Sequence, residues 1–359
     1  MELSENAKIA LDFFRKKAQT RKDEDANIIK HVLTMSDIDH KQFRELIQQM
    51  LSEANVVLHF HPFRFDQNGG LVAEGLLKTG LYSSQFKTLV SNGSLSPQPG
   101  GKRFLWEDKL FNQAYSQIQL ETCDRPKYGA LNLIPSTRGP APRFGCCFFS
   151  LKTQLSSRCR FTFGDSSIIP EECGTIDEFD SIVAAILKES FQKEIVLNRK
   201  SLRPPELYRL FLSIYQNSSE AKKWDKNHRS LDQYIEAQIH SEVDLSRDIE
   251  SLHIDQSLKA TKSGKTLVQL AQKHQIPIIW ISELFIRARD VPRDFRGPKM
   301  IELTEKIAIN GRINPAVLEE AYRNAKEDRE YWKDWESYDN FQQQLKLMWH
   351  ILVRFGQSH

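Results

Sequence analysis

The first fifty residues contain neither Gly nor Pro, and their apolar positions recur at helical spacing. Ile9, Leu11, Phe13 and Phe14 mark one stripe, and Phe43, Leu46, Ile47, Met50 and Leu51 mark another. The pattern predicts two or three helices, with Ser36–Asp39 as a cap before the last. The texture then changes. Eleven of the 16 glycines fall between Gly69 and Gly164 among short aromatic and β-branched runs, which read as strands and loops. Strands are expected at Val56–His61, Tyr128–Ile134, Phe144–Leu151, Arg158–Phe163, Glu194–Leu197 and Tyr234–His240. Helices are expected at Glu74–Lys78, Trp106–Gln117, Ile176–Phe191 and Pro205–Tyr215. From about Thr266 the period becomes helical again, through Met300–Ile309 and Pro315–Glu327. In the last stretch Phe341, Leu345, Met348 and Leu352 share a helix face, and a stripe of this kind packs onto the body of a protein. These shifts divide the chain into a helical region at 1–50, a mixed core at 51–260 and a helical region with an aromatic tail at 261–359.

One strand carries an unusual face. Read with a period of two, Tyr234, Glu236, Gln238 and His240 lie on one side and Ile235, Ala237 and Ile239 on the other. A carboxylate two positions from an amide on a rigid strand can stabilise a cationic sugar transition state. A half-exposed strand showing its polar residues to water would give the same pattern.

Composition narrows the classes. Charged residues make up 27% and hydrophobic residues 40%, as in ordinary globular proteins. The net charge of +3 comes from 50 Lys+Arg against 47 Asp+Glu, too small an excess for a general nucleic-acid or membrane-surface binder. No apolar run approaches the roughly 20 residues that span a bilayer. The opening residues lack a basic and an apolar segment, so no signal peptide is expected. Five cysteines without a C-x-x-C fit reduced thiols better than a disulfide framework or a zinc site.

Several other segments could carry chemistry. His59 and His61 share a strand face that Pro62 terminates; such a pair can hold a hydroxyl or amide, bind a metal, or simply pack. Arg125 and Arg143 precede strands, where a fixed guanidinium fork can clamp phosphate, and Lys102 and Arg103 follow a Gly-rich loop. Gly129 leaves room beside Tyr128 for something flat to lie against the sheet. Ser263–Thr266 imitates the end of a P-loop, but Lys259 stands where the first glycine is required.

Taken together these segments resemble a known family. The residues that carry the likeness are His59–Arg64, Gln85-Phe86 with Ser91–Gly93, Pro99-Gly100 with Arg103 and Trp106-Glu107, and Arg125–Asn132. They continue in Pro140–Gly145, Phe161–Ser166, Glu236–His240 and Asp294–Pro298. The resemblance is to an uncharacterised bacterial domain family that looks like a divergent branch of the ADP-ribosyltransferase superfamily, and it covers roughly residues 50–315. It implies an α+β fold: a split mixed or antiparallel sheet, the ADP-ribosyltransferase-like core, flanked by helical N- and C-terminal regions. It also implies NAD as the substrate cleaved, and a protein acceptor in a host cell. Members in Legionella look like translocated effectors without a classical signal peptide, and one of this kind acts on a host glutamate dehydrogenase. By position the catalytic residues would be Glu236, Gln238 and His61. The NAD-binding residues would be His59, Arg64, Ser91, Asn92, Arg125, Tyr128, Gly129 and Arg143, with no metal, no nucleic acid, no membrane and a monomeric chain. The chain departs from the arginine-directed pattern, which places Glu or Gln two residues before the catalytic Glu; here the order is Glu236-Ala-Gln238, and Glu242 is a competing acid.

The expected reaction breaks the nicotinamide–ribose bond, with Glu236 balancing charge on an oxocarbenium-like ribose. Two other classes compete with it. A metal-dependent hydrolase would use His59, His61, Asp165 and His240, and a non-enzymatic scaffold would bind a partner through the aromatic tail.

Overall fold

The computed structural model describes residues 3–66, 68–88, 100–116, 125–197, 199–216 and 231–358. Three helices open the chain: α1 (Glu5–Thr20), α2 (Lys22–Met35) and α3 (His40–Glu53). Asp39 caps α3 by accepting the Gln42 N–H at 2.8 Å, so the expected cap is present. Strand β1 (Val56–Phe60) leads to α4 (Val72–Thr79), α5 (Gln85–Thr88) and α6 (Lys102–Leu110). Next come β2 (Lys127–Leu131), β3 (Cys147–Leu151), β4 (Cys159–Phe163) and β5 (Cys173–Thr175). Helix α7 (Asp180–Lys193) leads into a ribbon of β6 (Ile195–Val196) and β7 (Arg199–Lys200), followed by α8 (Pro204–Tyr215). After β8 (Ile235–Ile239) come α9 (Leu245–Asp248), β9 (Ile249–Asp255), α10 (Lys262–His274) and β10 (Ile278–Ile281). The chain ends with β11 (Leu284–Arg287), α11 (Lys299–Ile307), β12 (Arg312–Ile313), α12 (Pro315–Glu327), α13 (Tyr338–Phe355) and β13 (Gln357–Ser358).

The fold is α+β. Eight strands form one mixed sheet in the order β10-β9-β3-β1-β2-β8-β4-β5. Every pair in it is antiparallel except β9 with β10. The expected split in the sheet is absent among the described residues, because β1 pairs with β2 on one edge and β3 on the other and so joins the halves. The sheet also takes in β10, from beyond residue 260.

Strand alternation gives the sheet two unlike faces. Leu58, Phe60, Phe149, Phe161, Ile235, Ala237, Ile239, Leu252 and Ile254 face the main hydrophobic core with side chains from α2, α3, α7, α8 and α10 to α13. The other face carries His59, Tyr128, Arg160, Thr162, Glu236 and Gln238, as the register pairs Tyr128 and Arg160 with Gln238 and Thr162 with Glu236. Phe144 belongs to a 3-10 turn (Pro142–Phe144) rather than to β3, and β2 ends at Leu131. Strands β5, β7 and β9 to β13 are additional to those expected from the sequence, and β10 to β13 interrupt the stretch expected to be helical. The terminal regions are built into this body. Phe14 of α1 lies under the Arg160 guanidinium at 3.8 Å, and Phe341, Leu345, Met348, Trp349 and Leu352 of α13 are buried in the main core. Cys146, Cys147, Cys159 and Cys173 are buried thiols. Among the described residues no helix is long and apolar enough to cross a membrane.

Candidate active site

The polar face opens into a cleft of about 200 Å³, with Glu236 and Tyr128 among its lining residues. Glu236 lies on β8, the strand between β2 and β4, and its side chain is buried. Its Oε1 accepts from the Ser166 hydroxyl and from the Gln238 amide at 2.7 Å. Its Oε2 lies 3.4 Å from both the Ser166 N–H and the Tyr234 hydroxyl. A layer beneath fixes the amide. The Arg160 guanidinium can only donate, and it reaches Gln238 Oε1 at 3.3 Å, so the Gln238 NH2 group must point to Glu236 and Thr162. Burial and the nearby Asp165 charge push the Glu236 carboxyl up to about 7, against the hydrogen bonds from Ser166 and Gln238.

One wall is aromatic. Trp106 and Tyr128 lie with ring centroids 5.6 Å apart, and the Arg103 guanidinium sits over both, at 5.2 and 4.6 Å. Trp106 Nε1–H donates to the Ser166 carbonyl at 3.1 Å, tying this wall to the turn that holds Glu236. Behind it Glu107 is fully buried. It accepts from the Tyr128 hydroxyl at 2.7 Å and from Arg125 at 3.3 Å, and pairs with Arg103 at 3.6 Å. Burial raises the Glu107 carboxyl, opposed first by Arg103. The Tyr128 hydroxyl is likewise raised by burial, so it remains a donor. At the opposite lip Arg143 donates to the Leu231 carbonyl at 3.4 Å and pairs with Asp232.

The sequence-predicted residues separate into three groups. Glu236, Gln238, Tyr128, Arg143 and His59 converge on the cleft or directly on Glu236. His59 is held neutral by burial, its ring pushed down to about 3, and Nε2 accepts the Ala141 N–H at 3.3 Å. His61 and Arg64 instead line a neighbouring cavity of about 180 Å³. His61 lies past the last residue of β1 and packs edge-on against Trp349 at 5.3 Å, because Pro62 ends the ladder. Arg125 is buried under Phe86 and Phe104, with its second arm on the Tyr115 carbonyl at 3.0 Å, and supports Glu107 from outside the cleft. Gly129 also lines the cleft, and the sheet itself excludes a side chain there, since a Cβ would overlap the Val57 carbonyl oxygen. Ser91 and Asn92 lie outside the described residues.

Glu242 does not line the cleft and pairs with Arg247 at 3.9 Å, so the competing acid is elsewhere. His240 is buried against Phe111 and Tyr115, 2.5 Å from the Tyr115 hydroxyl. His59, His61, Asp165 and His240 therefore do not converge, and among the described residues no three His, Cys, Asp or Glu are arranged to hold a metal. Sequence reasoning assigned no role to Glu107, Trp106 or Ser166. Their signal is pairing across the fold, which strand periodicity does not contain.

The two cavities share Tyr82, Gln85 and Tyr128. A family model described as a protein of unknown function (DUF3626) matches residues 55–355. No curated protein matches the chain.

Proposed function

The chain belongs to the DUF3626 family, whose description assigns no activity, and from the cleft we propose a mono-ADP-ribosyltransferase with an ADP-ribosyltransferase-like core that uses NAD as donor. The observation that carries this reading is Glu236, a preorganised carboxyl on the floor of a cleft walled by Trp106 and Tyr128 and rimmed by Arg103 and Arg143. Breaking the nicotinamide–ribose bond spreads positive charge over the ribose ring. A buried carboxylate whose donors are already in place stabilises that charge without reorganising. The cationic nicotinamide ring favours the ionised form of Glu236 as it binds. Tyr128 and Trp106 wall the cleft beneath the Arg103 guanidinium, and Arg103 and Arg143 supply guanidinium groups suited to a diphosphate. Arg143 and His59 keep the binding roles expected of them, while Arg125 becomes a support and Arg64 belongs to the adjoining cavity.

The acceptor is a side chain of another protein, in the proposed setting an arginine of a host-cell enzyme reached by a translocated, monomeric effector. Incubating the chain with labelled NAD and a host-cell lysate should give a labelled protein band that Glu236→Gln abolishes. Absence of both labelling and NAD consumption by the wild-type chain refutes the proposal.

A further inference from the structure

Tyr234 lies between two acids. Its hydroxyl is 3.2 Å from Asp165 Oδ2 and 3.4 Å from Glu236 Oε2. A phenol has one proton, so it donates to one of them and must accept from the other. Glu236 Oε1 already receives the Ser166 hydroxyl and the Gln238 amide, so the proton of an acid form belongs on Oε2, facing Tyr234. The arrangement that satisfies all three groups is a chain in which Glu236 donates to Tyr234 and Tyr234 donates to Asp165. Asp165 is fixed from its other side, where Oδ1 takes the Ser167 N–H at 2.8 Å, and it lines the same cleft as Glu236. The other charged or titratable groups that line the cleft or reach the pair are Arg143 at the lip, Arg103 and Tyr128 on the wall, His59, and Arg160 beneath Gln238. Burial and the Asp165 charge favour a proton on Glu236, in keeping with this chain.

We propose that Asp165 is the proton acceptor of the cleft: it takes the proton that the acceptor side chain loses on attacking the ribose carbon, and Tyr234 links it to Glu236. This rests on the transferase reading. In the resting chain the proton sits on Glu236 Oε2, facing Tyr234. Binding of the cationic donor expels that proton to solvent and leaves Glu236 ionised. The carbon–nitrogen bond from ribose to nicotinamide then breaks, and its electron pair leaves with neutral nicotinamide. The acceptor's lone pair forms the new bond to the same carbon, and its N–H or O–H proton passes to Asp165. The Tyr234 link returns that proton to Glu236, so each turnover begins and ends with the proton on Glu236.

The test compares wild type, Asp165→Asn and Tyr234→Phe in the full chain. Asn at 165 keeps the cap on Ser167 through its Oδ1 and removes the charge, and its NH2 group then donates to the Tyr234 hydroxyl, which turns its own proton to Glu236. Carbon-13 titration of the Glu236 carboxyl needs no NAD, and in Asp165→Asn its midpoint should fall by at least about one unit, a tenfold change in proton affinity. Tyr234→Phe keeps both acids and should leave the midpoint at or above the wild-type value. With NAD and acceptor, Asp165→Asn should lower the transfer rate at least about 100-fold, as for loss of a general base, with KM for NAD within about threefold. An unmoved midpoint, or transfer at the wild-type rate in Asp165→Asn, overturns the proposal. A moved midpoint in a chain whose wild type consumes no NAD removes the transferase reading and the base role with it, while the coupling of the two acids stands.

Discussion

Replacing Glu236 by Gln should abolish transfer and at the same time stabilise the fold at alkaline pH. The carboxyl is displaced from 4.5 to about 7. At ~1.4 kcal/mol per pH unit, that displacement costs the ionised folded state about 3 kcal/mol. Below pH 4.5 the group is protonated in both the folded and the unfolded chain and contributes nothing. Between pH 4.5 and about 7 the folded chain binds the extra proton, so stability falls as pH rises, and above 7 the full cost is present. Gln removes this titration but offers Ser166 and Gln238 a weaker acceptor, which offsets about 1 kcal/mol. The variant should therefore gain about 2 kcal/mol over wild type at pH 8.5, and the advantage should vanish or reverse at pH 5. Urea unfolding at the two pH values measures it, alongside labelling with NAD. If the difference between variant and wild type is the same at both pH values, Glu236 does not titrate as argued and the electrostatic reasoning about the cleft fails.

Three further perturbations probe the scaffold. Glu107→Ala removes the buried carboxylate that pairs with both Arg103 and Arg125 and should lower unfolding free energy by about 3–5 kcal/mol; a urea midpoint equal to that of wild type would contradict the network. Gly129→Ala forces a methyl group against the Val57 carbonyl and should cost about 1–3 kcal/mol, whereas a neutral effect in thermal unfolding would mean β1 and β2 can separate there. Trp349 is buried and donates to the Pro142 carbonyl at 2.9 Å, so Trp349→Ala should cost about 3–5 kcal/mol. It should also loosen the turn that carries Arg143, raising the KM for NAD; a variant of unchanged stability would restore the view of α13 as an appendage.

What the sequence disclosed follows from the range of its periodicities. The buried positions of α13 and the two sides of β8 were legible because each element repeats its own pattern over several turns or residues. Strand β9 was not, since its register with β3 shifts between Ser150 and Leu151 and the alternation is broken there. Strand β10 is four residues long and lies between α10 and the equally short β11, so its Ile278–Ile281 run carried no decisive period. His59 and His61 share parity in the sequence, yet parity holds only while the ladder continues. Pro62 stops it, and the residue just beyond the strand turns to Trp349. The single glycine at 129 was equally ambiguous, because a missing side chain can make room for a ligand or for a neighbouring strand.

The polar face of the sheet adds the argument that no local pattern contains. A sheet that buried both faces for stability alone would carry apolar residues on both. Here one face buries Arg160, Glu236, Gln238 and His59, with Glu107 and Arg125 behind the aromatic wall. Buried ionic groups contribute little net stability even when paired, and Glu236 lowers it above pH 7. The arrangement is nevertheless specific: Arg160 orients Gln238, Gln238 and Ser166 orient Glu236, and Glu107 orients Tyr128 and Arg103. Each of these links sets the direction of a group that lines one cleft or contacts Glu236 directly. Stability given up at such a concentration of oriented charge is what the proposed transferase reading expects of a site shaped for a transition state rather than for the resting protein.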